Sequence, residues 1–287
     1  MKIFATDMDG TLLNDERRVT KENAIAIKEA QEAGVMVVVV TGRDYSEAQK
    51  PLEDAGIHCP IICVNGAEER DEKGKVIRSV PILKKDALFI SDVLREHDIY
   101  FELYTNEGAF TDHHEKALQV VIDVLQSSGS EDSIEKMRAI AEERFITAAV
   151  TEVASYEHIL QDERQQVYKF LAFSLNDEKR DKAKQILSET DRFAVSSSAS
   201  ENLEITNKHA QKGIALTNFA ERLGVDMKDV VVIGDNLNDL SMFEVAGHAI
   251  AMDNAVEEIK SKAHSLTSSN EESGVAEALN EYLKRLV

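Results

Sequence analysis

Residues 35–40 read Val-Met-Val-Val-Val-Val, six apolar side chains with no polar residue between them. A strand with one wet face alternates polar and apolar positions, so an unbroken apolar run implies a strand buried on both faces. Such strands belong to parallel sheets, whose crossover connections are usually helices that cover the two sides. Residues 61–64 and 230–233 repeat the pattern, and residues 3–6 read as a further strand. This one pattern restricts the chain to a helix-flanked parallel sheet.

Helical spacing appears where that architecture requires it. Thr20 is placed to cap a helix over residues 21–33, with Ala26, Ile27 and Ala30 on one face and Gly34 at its end. Residues 214–223 carry Leu216, Phe219, Ala220 and Leu223 on a single face before Gly224. Helices are expected at 240–246 and 255–263, with a short strand at 249–251. A closing helix places Val275, Leu279, Tyr282, Leu283 and Leu286 together, and residues 67–80, centred on Lys73-Gly74, read as a hairpin. The fold class is therefore α/β, with a Rossmann-like doubly wound parallel sheet as its core.

The middle of the chain follows another rhythm. Residues 84–98 read as a helix, 100–105 and 109–111 as strands, and 115–126 and 133–143 as helices. A strand at 167–174, a helix at 177–189 and a strand at 193–198 follow. Strand pairs beside helices suggest an antiparallel sheet covered on one face. An inserted α+β domain is thus expected at 84–199, dividing a core made of 1–83 and 200–287. A chain of 287 residues is long enough for two such lobes.

The formal charge of −20 argues against a nucleic-acid groove or an anionic membrane surface. The apolar runs are too short to span a bilayer, and the first residues lack the pattern of a secretory signal, so a cytoplasmic location is expected. Cys59 and Cys63 have no second cysteine pair to complete a zinc site and read as small buried residues.

Ligands of an open parallel sheet gather outside the carboxyl ends of its strands. The first strand runs into Asp7-Met8-Asp9-Gly10-Thr11. Two acids that close repel one another unless positive charge stands nearby, so this turn points to a metal site or to divided acid and nucleophile roles. The second strand delivers Thr41, Gly42 and Arg43, and the strand at 230–233 delivers Asp235, Asn238 and Asp239. Lys212-Gly213 opens the helix before that strand. Arg43 is read as the partner of a nearby acid, outside the core set. His113-His114 reads as a solvated helix start, because adjacent side chains point apart. Residues 68–72 read as a solvated side of the hairpin. Tyr104, Asn106 and Glu107 suit a substrate-facing loop and a surface turn equally.

In this order, the four pieces resemble the haloacid-dehalogenase superfamily of phosphatases, in particular its Cof-type branch with a large inserted cap. Asp7–Thr11 match the first motif, Thr41 the second, Lys212 the third and Gly-Asp-x-x-Asn-Asp at 234–239 the fourth. The resemblance implies that Asp7 attacks phosphorus and forms an aspartyl-phosphate. Asp9 would give a proton to the leaving oxygen and then take one from water. It also implies Mg²⁺ held by Asp7, Asp235 and the main-chain carbonyl of Asp9, with Asp239 behind a metal-bound water. Lys212, Thr41, Asn238 and the main-chain N–H groups of Met8 and Gly42 would cradle the phosphate. A phosphate dianion would otherwise be repelled by Asp7, Asp235 and Asp239 by about 4 kcal/mol per pair at ~4 Å.

Dehalogenating members of the superfamily lack the second acid and cation-pumping ATPases carry Thr there, so Asp9 favours phosphatase or phosphomutase chemistry. The expected function is Mg²⁺-dependent hydrolysis of a small phosphorylated metabolite, such as a sugar phosphate or a nucleotide-type cofactor, with the cap restricting entry. A phosphomutase or phosphotransferase using the same intermediate stays open. A phospho-receiver module is disfavoured by length and by Asp9, and a dinucleotide dehydrogenase by the lack of Gly-x-Gly-x-x-Gly after any strand.

Overall fold

A computed structural model describes residues 2–127, 130, 132–147, 150–197 and 201–285. The chain forms two compact units, one of Met1–Ser79 with His209–Val287 and one of Val80–Lys208. Residues 198–200, where the sequence pattern places the end of a strand and the return crossing, lie outside the described residues, as does Leu286 of the expected closing helix.

The first unit opens with β1 (Lys2–Thr6), α1 (Lys21–Glu32), β2 (Val35–Val40), α2 (Tyr45–Asp54), β3 (Ile61–Cys63), β4 (Glu68–Arg70) and β5 (Val76–Ser79). The second unit runs through α3 (Lys84–Glu96), β6 (Tyr100–Thr105), β7 (Gly108–Thr111), α4 (His114–Ser127) and α5 (Ile134–Thr147). It continues with β8 (Thr151–Glu152), α6 (Glu157–Gln161), β9 (Val167–Phe173), α7 (Asp177–Ser188), β10 (Phe193–Ser196) and β11 (Asn202–Asn207). The first unit then resumes as α8 (Lys212–Arg222), β12 (Val230–Gly234), α9 (Leu240–Val245), β13 (His248–Ala251), α10 (Glu257–Lys262), β14 (Ser265–Leu266) and α11 (Gly274–Lys284).

In the first unit the strands lie in the order β14-β13-β12-β1-β2-β3-β4-β5. Pairing is parallel from β14 to β3 and antiparallel across the β3–β4–β5 meander. Ile3, Phe4, Ala5, Val38, Val39, Val40, Val232 and Ile233 in the three central strands have no exposed surface. The doubly buried strands are those with unbroken apolar runs. Thr20 accepts a hydrogen bond from Asn23 N and caps α1, while Gly34 takes φ +82° at its far end. α1 packs on α11 and α8 on α9, and Tyr282 of α11 lies 6.2 Å from the Phe4 ring.

Three features depart from the sequence pattern. α2 runs through Pro51, which masked it from periodicity, and the Asp44 side chain caps it by accepting from Glu47 N. Glu68 and Glu69 are buried rather than solvated; they pair with Arg70 (2.6 Å) and with Arg222 at the end of α8 (2.8 Å). Leu223, expected on the apolar face of α8, stands just past its last residue and is exposed.

The second unit holds a sheet of order β10-β11-β9-β6-β7-β8, antiparallel except for the β7–β8 pair. Leu103, Phe170 and Ile205 on one face pack with Ile90 and Leu94 of α3 and Ala183 and Leu187 of α7. The alternate residues carry Tyr104, Lys169 and Glu204, with Lys169 Nζ 4.4 Å from the Tyr104 ring centre and 3.8 Å from Glu204. Asn106 instead closes a turn, donating to Arg164 O and accepting from Gln166 N, and Glu107 is exposed. His114 begins α4 as expected, but it is half-buried and packs edge-on against Phe145 rather than being solvated, while His113 beside it is exposed.

Candidate active site

Strand register brings the motif residues to one edge. β1 pairs β12 with Thr6 opposite Ile233, and β2 with Thr6 opposite Val39. The segments just beyond, which hold Asp7, Thr41 and Asp235, therefore leave the sheet side by side. The Asp7 N–H donates to Ile233 O at 3.0 Å, so the first acid is still tied to the neighbouring strand.

Asp7, Asp235 and Asp239 are buried, and one carboxylate oxygen from each lies within 4.8 Å of the others. Among the described residues this is the one cluster of His, Cys, Asp or Glu side chains spaced to hold a metal. Lys212, at the start of α8 and fully buried, donates to Asp7 Oδ1 at 2.5 Å and to Asp239 Oδ1 at 2.7 Å. The other Asp239 oxygen accepts from the main-chain N–H groups of Asp235 (2.9 Å) and Asn236 (3.1 Å). Asp239 is thereby spent on holding the turn and Lys212. The Thr11 hydroxyl donates to Asp235 Oδ1 at 2.7 Å.

One fixed cation facing three carboxylates leaves the cluster electrostatically short. Burial, then the Asp239 charge, raises the Asp7 carboxyl well above its ordinary range despite Lys212. Burial and Asp239 likewise push Asp235 up to about 7. Burial alone would lower the Lys212 ammonium, but Asp239 and Asp7 outweigh it and raise it. The donor set is all hard oxygen, which suits Mg²⁺. The space is also kept open by glycine: a Cβ at Gly10, where φ is +74°, would stand 2.5 Å from Asp235 Oδ2, and one at Gly234 would stand 2.4 Å from Asp239 Oδ2. The buried Asn238 Oδ1 has no hydrogen-bond partner. These residues fit a divalent cation and an anionic ligand.

Asp9 takes a different place. Arg43 Nε donates to its Oδ2 at 2.7 Å and Arg43 Nη2 to its Oδ1 at 2.5 Å. Partial desolvation works to raise the Asp9 carboxyl, but the hydrogen bonds and charge of Arg43 prevail and hold it below the ordinary range. Thr41 is fully buried, its hydroxyl accepting from Arg43 N at 3.1 Å. Gly42 is half-buried between them, and the fully buried Met8 shapes the turn by accepting from Leu13 N at 2.9 Å.

Sequence reasoning missed three supporting residues. Thr11 stood in the first motif without a role. Ser241, whose hydroxyl accepts from Gly213 N at 3.0 Å, and Asn254, which donates to Gly10 O at 2.8 Å, carried no local signal. No helix among the described residues is long and apolar enough to cross a membrane.

Residues 4–279 match the model of the haloacid dehalogenase-like hydrolases. The 5-amino-6-(5-phospho-D-ribitylamino)uracil phosphatase YwtE of Bacillus subtilis (strain 168) is 36% identical over 284 residues, which cover 99% of this chain and 98% of that protein. Phosphatase YwpJ of the same organism is 34% identical over 285 residues, covering 99% of this chain and 100% of that protein. A solved haloacid dehalogenase-like hydrolase from B. subtilis superposes with a TM-score of 0.88 at 34% identity, over 98% of this chain and 99% of that one.

Proposed function

The chain belongs to the haloacid dehalogenase-like hydrolases, and on that premise we propose that it is a Mg²⁺-dependent phosphatase of small phosphorylated metabolites acting through an aspartyl-phosphate on Asp7. The observation that carries the reading is the Lys212 ammonium bridging Asp7 and Asp239 with Asp235 alongside, at the carboxyl edge of a parallel sheet. The relatives named as phosphatases support the reaction class.

Asp7 is the nucleophile: Lys212 orients one of its oxygens and leaves the other for phosphorus. Asp7, Asp235 and the Asp9 carbonyl would hold Mg²⁺ directly, with Asp239 reaching it through water. When bound, the ion supplies the charge that lets a phosphate dianion approach three acids. Lys212, Thr41, Asn238 and the N–H groups of Met8 and Gly42 receive the phosphate oxygens. Asp9, ionised beside Arg43 in the resting site, takes up a proton as the phosphate dianion approaches and favours its neutral form. It passes that proton to the leaving oxygen and later accepts one from the attacking water.

The direct test is phosphate release from a panel of phosphorylated metabolites, with and without Mg²⁺. Phosphorylated polyols and sugars come first, after the substrate named for YwtE. Release without an added acceptor identifies a hydrolase; release only with a second acceptor identifies a transferase. Replacing Asp235 with Ala is expected to raise the Mg²⁺ concentration for half-maximal activity by at least about tenfold, and an unchanged titration removes Asp235 from the ligand set.

Asp235 also sets a pH dependence. An unfolded Asp titrates at about 3.9, whereas this folded one titrates at about 7. Across that window the folded, metal-free protein holds a proton that the unfolded chain lacks, so this group's effect lowers stability as pH rises. Mg²⁺ must displace the proton, and its increase of Tm is expected to be larger at pH 8 than at pH 6. Equal increases at both pH values would contradict the assignment.

A further inference from the structure

Arg43 was left outside the core set in the sequence, yet both its backbone and its guanidinium are anchored beside Asp9. Its main-chain N–H donates to the Thr41 hydroxyl, and its carbonyl accepts from Val64 N at 2.9 Å. Its Nη1 donates to Glu47 O at 3.3 Å. In an α-helix that carbonyl would take a bond from residue 51, but Pro51 has no N–H to give. Val64 and Asn65 adopt left-handed backbone, φ +49° and +55°, which is costly for a β-branched residue. They are held there while donating to the carbonyls of Arg43 and Thr41.

Burial shows which partner holds which. The Arg43 side chain is 14% exposed and the Asp9 side chain 57%, so the carboxylate is the loose member and the guanidinium the fixed one. The forked edge of Arg43 is occupied by both oxygens of Asp9, which fixes the carboxylate plane as well as its position. A carboxylate this exposed would otherwise turn freely about two torsions, and proton transfer is sensitive to displacements of ~1 Å.

We propose that Arg43 is a positioning residue, which holds the Asp9 carboxylate in one orientation for the proton transfers of the reaction. The proposal rests on the phosphatase reading and adds to it the residue through which Asp9 is aimed. It differs from a substrate-binding role, in which the guanidinium would serve the phosphate itself.

The test compares kcat/KM for a sugar phosphate turned over by the wild type with kcat/KM for p-nitrophenyl phosphate, whose phenolate departs without help from an acid. Arg43→Met is expected to lower the value for the sugar phosphate by roughly 10- to 100-fold and that for p-nitrophenyl phosphate by less than about threefold. Arg43→Gln, which can still donate a hydrogen bond, should fall between. In an Asp9→Asn background, Arg43→Met should add less than about twofold, because groups acting as a unit are not additive. Equal losses on both substrates, a full further loss in the Asp9→Asn background, or an unchanged sugar phosphate rate would overturn the proposal. A wild type that releases no phosphate would overturn the phosphatase reading and this proposal with it. An Asp9→Asn variant with undiminished turnover of the sugar phosphate would overturn the acid–base role of Asp9 and this proposal but not the phosphatase reading.

Discussion

Replacing Asp7 with Asn is expected to abolish phosphate release, lowering kcat by about 10⁴-fold or more, with the protein still folded. The amide is nearly the same size, and its oxygen can still accept from Lys212. It cannot form the acyl-phosphate at a useful rate, because a neutral amide oxygen is a poor nucleophile. The fold should tolerate the change, since Asp7 is strained by burial and by the charge of Asp239. Removing its charge relieves that repulsion while giving up one of the two ion pairs of Lys212. Tm is therefore expected to stay within a few degrees of the wild type. A phosphate-release assay with a thermal melt on the same preparation decides the matter. Wild-type hydrolysis by the variant would sink the nucleophile assignment.

Lys212→Met should act first on stability. Lys212 has no exposed side-chain surface and is the shared partner of two buried acids. Leaving such acids without a counter-charge costs about 3–5 kcal/mol, which corresponds to a Tm decrease on the order of 10 °C for a chain of this size. The isosteric stem keeps the packing, so the loss reports charge rather than a cavity. A divalent cation can replace the missing charge, so Mg²⁺ is expected to raise the variant's Tm by more than the wild type's. Phosphate release should remain low even then, because in the proposed function the ammonium also receives a phosphate oxygen. A variant as stable as the wild type without metal would show that the three acids do not depend on Lys212.

Much of the site could be read before any coordinates, for a definite reason. The apolar runs marked the central strands, the sheet rule marked their carboxyl ends, and Asp7, Thr41 and Asp235 stood at those ends, with Lys212 at the start of the helix before β12. The helix of residues 45–54 escaped because Pro51 interrupts its pattern. The strand of residues 202–207 escaped although it alternates well, because it pairs with the second unit's strands rather than with the core. The pair Glu68-Glu69 was misjudged because charge suggests solvent, whereas here Arg70 and the distant Arg222 supply the counter-charges of two buried acids.

By itself the sequence determined the central strands, most of the helices beside them, and which chemical groups stand at their ends, because these follow from patterns a few residues long. Only the tertiary structure decided that Lys212 bridges an acid 205 positions away and that Arg43, not solvent, holds Asp9. Such partnerships depend on strand register and on the direction of side chains in three dimensions, which no short window of residues contains.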